Sequence, residues 1–173
     1  QVNANPKVRA EDYYIFTREN TRPQLIEVAE GKRSLDEFIA LLPDDRRMRV
    51  NVSLPENMMV KGNPTLLTSI FKNLTDNAIA YSGGRDIYIN ATLNNGDAYT
   101  ITVGDNGIGV DEEHIGHIFE RFYRIDKGRS RKLGGTGLGL SIVKNAVLFH
   151  GGDIEVYNRK TGGLEFKFTL PKA

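Results

Sequence analysis

No cysteine occurs anywhere in the 173-residue chain. That excludes disulfides and thiolate metal sites and fits a reducing compartment. An excess of one charge is equally lacking: 23 Lys and Arg against 22 Asp and Glu leave a net +1, so no global field draws the chain to nucleic acid or a membrane surface. No apolar run nears the length that crosses a bilayer, and no secretory signal pattern is visible. The chain starts at Gln1 rather than Met, as expected of a piece of something longer. What is present, 39% hydrophobic and 26% charged residues, is ordinary for a soluble globular domain with one core.

Residues 1–22 show no clean period beyond the apolar cluster Tyr13–Phe16 and read as a linker or the end of a preceding element. Gln24–Val28 is a candidate short strand. Ser34 and Glu37 form a capping-box pattern before Leu35, Phe38, Ile39 and Leu42 at helical spacing, and Pro43 stops that helix. Met48–Leu54 alternates as a half-buried strand, and Met58–Lys61 is a second short one. Asn63-Pro64 opens a helix with an N-cap and a first-turn proline. Its buried stripe is Leu67, Ile70, Phe71, Leu74 and Ala78, and Ser82-Gly83-Gly84 ends it. Asp86–Leu93 and Ala98–Val103 flank the hairpin turn Asn94-Asn95-Gly96-Asp97. A glycine-rich, basic stretch from Asp105 to Gly137 carries a helix near Asp111–Phe119. Leu138–Phe149 is helical up to Gly151-Gly152, and Ile154–Tyr157 with Leu164–Leu170 makes a last hairpin around Thr161-Gly162-Gly163. The expected fold is α+β: a two-layer sandwich in which a mixed, mostly antiparallel sheet packs on about three helices.

Three features carry chemistry. Asn73 and Asn77 sit four residues apart on one helix face beside the apolar stripe, with Tyr81 continuing it. Asparagine is a poor helix former, so the pair is either two solvated positions or the polar rim of a pocket. In the second case Asn77 can offer an amide oxygen to Mg²⁺, and Asn73 can orient a phosphate or the attacking group. Asp105-Asn106-Gly107-Ile108-Gly109 reads alone as a turn, but Asp105 ends a strand and faces a glycine-rich bend. A carboxylate there can accept from the exocyclic amine of adenine, while Gly107 and Gly109 let the backbone come close. Gly134-Gly135-Thr136-Gly137-Leu138-Gly139-Leu140 runs into a helix N-terminus, either a hinge or an anion cradle. Neither the dinucleotide fingerprint nor the P-loop fits. Arg124, Lys127, Arg129, Arg131 and Lys132, between the glycine blocks, are a solvated face or a clamp on triphosphate charge within a lid.

In this order the blocks resemble the ATPase module of bacterial sensor histidine kinases, part of the group shared with type II topoisomerases, Hsp90 chaperones and MutL proteins. The resemblance runs from about Gln24 to Pro171 and identifies residues 23–173 as the catalytic ATP-binding domain, with an ATP lid at about 106–136. Asn73–Ser82 matches the N box, Asp105–Gly109 the G1 box, Ile118–Arg124 the F box and Gly134–Lys144 the G2 box. It implies that Asp105 binds the adenine amine, with Gly107, Ile108 and Gly109 shaping the base pocket. By the same resemblance Asn77 holds Mg²⁺, and Asn73 stands where the related ATPases place a catalytic glutamate. Gly135, Thr136, Gly137, Leu138 and Gly139 then cradle the phosphates of ATP. Phe119 and Phe122 anchor the lid, and Arg124, Lys127 and Arg131 are candidate phosphate contacts.

The sequence departs from the family at Ala80, where many N boxes carry a phosphate-touching lysine. None of the histidines fits a phosphoacceptor motif: Ile follows His114 and His117, and Gly follows His150. His114 and His117 read as a solvated helix face, since a metal pair would need a third ligand, and His150 reads as structural. The resemblance therefore implies γ-phosphoryl transfer from Mg·ATP to a histidine on dimerisation helices, supplied by the parent chain or its dimer mate, with a response regulator downstream. This chain alone is then expected to be monomeric and not to autophosphorylate, and its setting to be the cytoplasmic side of an inner-membrane-anchored sensor. A regulatory nucleotide-binding module, for which Ala80 speaks, is the alternative. An ATPase is disfavoured by Asn73 and the F box, and an anti-sigma-factor serine kinase by the F box.

Overall fold

The computed structural model of the chain describes residues 14–15, 47–55, 58, 60–125 and 138–172. The expected strand at 24–28 and helix at 34–42 lie outside them. In chain order the described elements are β1 (Tyr14–Ile15), β2 (Arg49–Ser53), β3 (Lys61–Gly62), α1 (Pro64–Tyr81), β4 (Asp86–Asn94), β5 (Ala98–Asp105), α2 (Glu112–Ile115), α3 (Gly139–Phe149), β6 (Ile154–Asn158) and β7 (Leu164–Pro171).

Five strands form one sheet in the order β2-β4-β5-β7-β6. Among its described strands β2 and β4 pair in parallel, and the other three pairings are antiparallel. β1 pairs antiparallel with β3 in a separate two-stranded ribbon, so part of the apolar cluster at 13–16 is a strand. Alternation sets the sheet's inner face. Ile87, Ile89 and Ala91 of β4, Tyr99, Ile101 and Val103 of β5, and Leu164, Phe166, Phe168 and Leu170 of β7 are buried, with polar residues between them. The register places Ile89 opposite Val103 and Ile101 opposite Phe168.

α1 and α3 pack on one another over this face. α1 is set by its ends and its stripe. Asn63 Oδ1 accepts from Leu66 N at 3.1 Å, and proline occupies the first turn. Leu67, Ile70, Leu74, Ala78 and Ile79 are buried. α3 contributes Val143, Ala146 and Val147. Each fully buried Ile, Leu or Phe is worth roughly 1.5–3 kcal/mol, so these stripes outweigh the poor helix propensity of the asparagines beside them.

Two expectations need correction. The helix expected near Asp111–Phe119 is confined to Glu112–Ile115. Beyond it, His117, Ile118 and Glu120 each donate to a carbonyl three residues back. The Asp111 side chain makes no cap bond and Gly116 follows the fourth helical residue, so little favours continued α-helix over tight turns. Around β2 the alternation is only half realised: Met48 and Val50 are buried while Val52 is 38% exposed, β2 lying at the edge of the sheet among the described strands.

Candidate functional site

The site forms where the strict alternation of β5 runs past the edge of the core. Tyr99, Ile101 and Val103 point inward, and two residues later so does Asp105. Its position opposite Ile87 leaves it 6% exposed. Oδ1 accepts from Gly107 N at 2.9 Å and Leu164 N at 3.3 Å. Oδ2 accepts no hydrogen bond from the described residues. Burial pushes this carboxyl above its ordinary pKa, opposed by those two N–H groups and by the charge of Arg159.

The backbone after Asp105 is folded back tightly. Ile108 N donates to Ser82 O at 2.8 Å. A Cβ on Gly107 would stand 2.0 Å from the same carbonyl, so only glycine lets the loop lie against the end of α1. Gly109 has φ +72°, a conformation L side chains avoid. Asn106 is tied to the start of β4. Its Oδ1 accepts from both Arg85 N and Asp86 N at 2.8 Å, and its Nδ2 donates to Asp86 Oδ2 at 3.1 Å. Asp86 is further bonded by Arg49 and Asn51. The Arg49 hydrogen bond, foremost, holds the Asp86 carboxyl below its usual pKa.

On α1, Asn73, Asn77 and Tyr81 are all half-buried. Asn73 Nδ2 donates to Ser69 O at 2.8 Å and Ser69 Oγ at 3.1 Å, which directs its oxygen outward. That oxygen lies where a Cβ on Gly139 would come within 3.0 Å of it. Asn73 thus abuts the first residue of α3, whose N-terminus carries no side-chain cap. Asn77 makes no hydrogen bond among the described residues, and its amide oxygen is a suitable donor for a hard cation.

Of the other expected residues, Leu138 is at the α3 N-cap and Ile108 is 79% exposed at the loop tip. Phe119 packs edge-on against Phe166, ring centroids 6.0 Å apart, with Lys144 Nζ 5.7 Å over its ring. Phe122, expected beside it as a second anchor, has φ +66° and is 61% exposed under Arg121. Arg124 is half-buried. Lys127, Arg131, Gly135, Thr136 and Gly137 lie outside the described residues. His114 bonds the Tyr123 hydroxyl, and His117 stacks on the Tyr123 ring and pairs with Glu120. Possible ligand atoms of Asp111, Glu113 and His114 come within 4.8 Å of one another, and His117 does not join them. His150 is buried, accepting from Asn63 N at 3.0 Å and donating to Ala146 O at 2.7 Å, a structural role.

Sequence reasoning missed Asn158 and Arg159. Asn158 Oδ1 accepts from Val110 N at 2.9 Å while its Nδ2 donates to Val110 O at 2.6 Å. Arg159 Nη1 donates to the Asp105 carbonyl at 2.7 Å. No local pattern announces either residue, because their partners lie about fifty residues away.

Among the described residues no helix is long and apolar enough to cross a membrane. Residues 62–173 match the family described as "Histidine kinase-, DNA gyrase B-, and HSP90-like ATPase". The sensor-like histidine kinase SenX3 of Mycobacterium tuberculosis is 41% identical over 128 residues, which are 74% of this chain and 31% of that protein. The sensor histidine kinase WalK of Bacillus subtilis is 38% identical over 137 residues, 78% of this chain and 21% of that one. The chain therefore spans about a third or less of these relatives' lengths. Among solved structures, the catalytic domain of histidine kinase ThkA, in a nucleotide-free form, is similar with a TM-score of 0.65 at 26% identity, covering 92% of this chain and 97% of that one. Its five-stranded sheet, its paired helices and the family match over residues 62–173 make this chain a member of the histidine kinase-, DNA gyrase B- and HSP90-like ATPase family.

Proposed function

We propose that this domain binds Mg·ATP between α1, the 105–110 loop and the N-terminus of α3, and passes the γ-phosphoryl group to a histidine supplied by another domain of a sensor kinase. The observation that carries the reading is the Asp105 carboxylate: buried, held at Oδ1 by two backbone N–H groups, and with Oδ2 open to a donor. An adenine amine is such a donor. A buried acceptor left unpaired is costly, so a base lacking the amine is disfavoured.

On the phosphate side, Asn77 is placed to give a cation its amide oxygen. Gly139 opens α3, whose N-terminus carries no side-chain cap, and is taken together with Gly135, Thr136, Gly137 and Leu138 as the phosphate cradle. Bound Mg²⁺ would supply charge neutralisation on the phosphates. Asn73, directed by Ser69 toward Gly139, orients groups at that end. Its amide has no basic pKa, so it positions without activating water, which favours transfer over hydrolysis. Tyr81, Arg124, Lys127 and Arg131 complete the proposed set, with Phe119 holding the lid base on the core. The partners are dimerisation helices and a response regulator, and the parent chain is a membrane-anchored sensor whose catalytic domain faces the cytoplasm.

The test is calorimetric titration of ATP and ADP, with and without Mg²⁺, into the wild-type domain and Asp105→Ala. Mg²⁺-sensitive binding abolished by the substitution is expected. Absence of binding to the wild type would sink the reading. Phosphotransfer to a supplied histidine helix then separates a kinase from a regulatory module.

A further inference from the structure

The segment 105–110 is gripped at both ends by two consecutive distant residues, the last of β6 and the one after it. At its far end, the Asn158 amide pairs with both the N–H and the carbonyl of Val110 and reaches Glu112 Oε1 at 3.3 Å. This two-point bond holds both main-chain polar groups of one residue rather than a single atom. At its near end, Arg159 Nη1 donates to the Asp105 carbonyl, and Leu164 N reaches the Asp105 carboxylate. Between them, Gly163 has φ +94°, and a Cβ there would fall 2.0 Å from the Asp105 carbonyl.

Arg159 is itself held. Its guanidinium carbon lies 4.8 Å over the Tyr88 ring, its Nε is 3.9 Å from Glu165, and Nη1 also reaches Gly162 O at 3.5 Å. The bare Gly104 leaves room for its carboxylate partner: a Cβ there would come 3.1 Å from Glu165 Oε1. A stacked, paired guanidinium loses little entropy by donating one further bond. Such expense of structure is unnecessary for an ordinary β-turn, and it converges on the buried Asp105 carboxylate.

We infer that Asn158 and Arg159 are positioning residues for base recognition: together they fix both ends of the 105–110 segment so that the Asp105 carboxylate meets the base edge in one orientation. This rests on the reading of Asp105 as the adenine acceptor. Neither residue touches the base. Arg159 acts through the Asp105 main chain, and its positive charge opposes the effect of burial on the carboxyl. Loss of the arginine therefore both loosens the acceptor and favours its neutral form, which accepts poorly.

The experiment uses the whole chain with Arg159→Met, Arg159→Lys and Asn158→Ala. ATP and inosine triphosphate, which has a carbonyl in place of the amine, are titrated by calorimetry over a pH series. The Asp105 carboxyl carbon is followed by NMR without nucleotide. Arg159→Met and Asn158→Ala are expected to weaken ATP on the order of tenfold and inosine triphosphate much less, narrowing the preference between them. Arg159→Met moves the carboxyl titration, and the acid limb of ATP binding with it, to higher pH. Arg159→Lys restores the titration while recovering only part of the affinity. Wild-type preference for ATP together with an unchanged preference and an unmoved titration in Arg159→Met would overturn the inference alone. So would an equal loss for both nucleotides without a shift in titration, the signature of general loosening. A wild type that binds neither nucleotide, or both equally, overturns the adenine reading and the inference with it.

Discussion

The main-chain N–H of Asn63 ends on Nε2 of His150, 3.0 Å away and 87 positions later in the chain. His150 passes the connection on by donating from Nδ1 to Ala146 O, so the neutral imidazole joins the start of α1 to the last turn of α3. Gly62 is bare at this point, and a Cβ there would press on the imidazole at 2.5 Å. Burial, foremost, holds the His150 pKa below the ordinary histidine range. The unfolded chain therefore binds the extra proton first. The stability is fully present above about pH 6.5 and is lost as pH falls through the folded-state value. His150→Gln is expected to cost about 1–2 kcal/mol at neutral pH and to flatten this acid dependence. Urea unfolding of both proteins at several pH values checks it, and an equally steep acid limb in the variant would refute it.

Asp105 shows the reverse sign. Burial raises its pKa, so the folded state holds its proton longer than the unfolded chain. Its contribution to stability is greatest below the ordinary carboxylate range and is lost as pH rises through the folded value. Near neutral pH the carboxylate costs the fold free energy. Asp105→Asn keeps an oxygen for Gly107 and Leu164 and removes the buried charge. We expect it to stabilise the domain by about 1 kcal/mol, roughly 2–4 °C in Tm, while abolishing nucleotide binding, because the amide then turns a donor toward the base amine. Calorimetric melting beside ATP titration tests both halves.

Asn77→Ala should separate metal from base. Its amide has no partner among the described residues, so little fold stability is at stake. ATP affinity measured with Mg²⁺ is expected to fall on the order of tenfold, about 1.4 kcal/mol, with Mg²⁺-free binding unchanged. An equal drop in both conditions would place Asn77 on the nucleotide rather than the metal.

Two glycines differ in why they are bare. Gly107→Ala drives a Cβ to within 2.0 Å of Ser82 O and should cost about 3 kcal/mol while displacing the Asp105 loop. Gly96→Ala, at φ +99° with open space around it, carries only backbone strain of about 1 kcal/mol. Denaturant melts that ranked the two equally would contradict the packing argument.

The local periods made most of the fold legible. The Asn63-Pro64 cap, the α1 stripe, the Asn94–Asp97 turn and the alternation of β4, β5 and β7 are set by neighbours within a few residues, and the structure places them as read. The same alternation carries Asp105 to the inner face, and helical spacing puts Asn73 and Asn77 together, so the kernel of the candidate site could be found from one dimension. The two hairpins were read as antiparallel, but the order of the strands, the parallel pairing of β2 with β4 and the pairing of β5 with β7 could not be. Nor could the helical extent around Asp111–Phe119, where weak capping left the outcome to tertiary packing, or the outward turn of Phe122.

By itself, then, the sequence determined what the strongly periodic segments become and which side of them is apolar, because caps, glycines and side-chain periods act on their own stretch of chain. Only the tertiary structure decided who holds whom: Asn158 on Val110, Arg159 on Asp105, Asn106 on Asp86, His150 on Asn63. These are one to three hydrogen bonds apiece between groups far apart in the chain. Their partners are chosen by sheet order and helix packing, which bring a backbone group within 3 Å or so of a side chain that carries no local mark of its role.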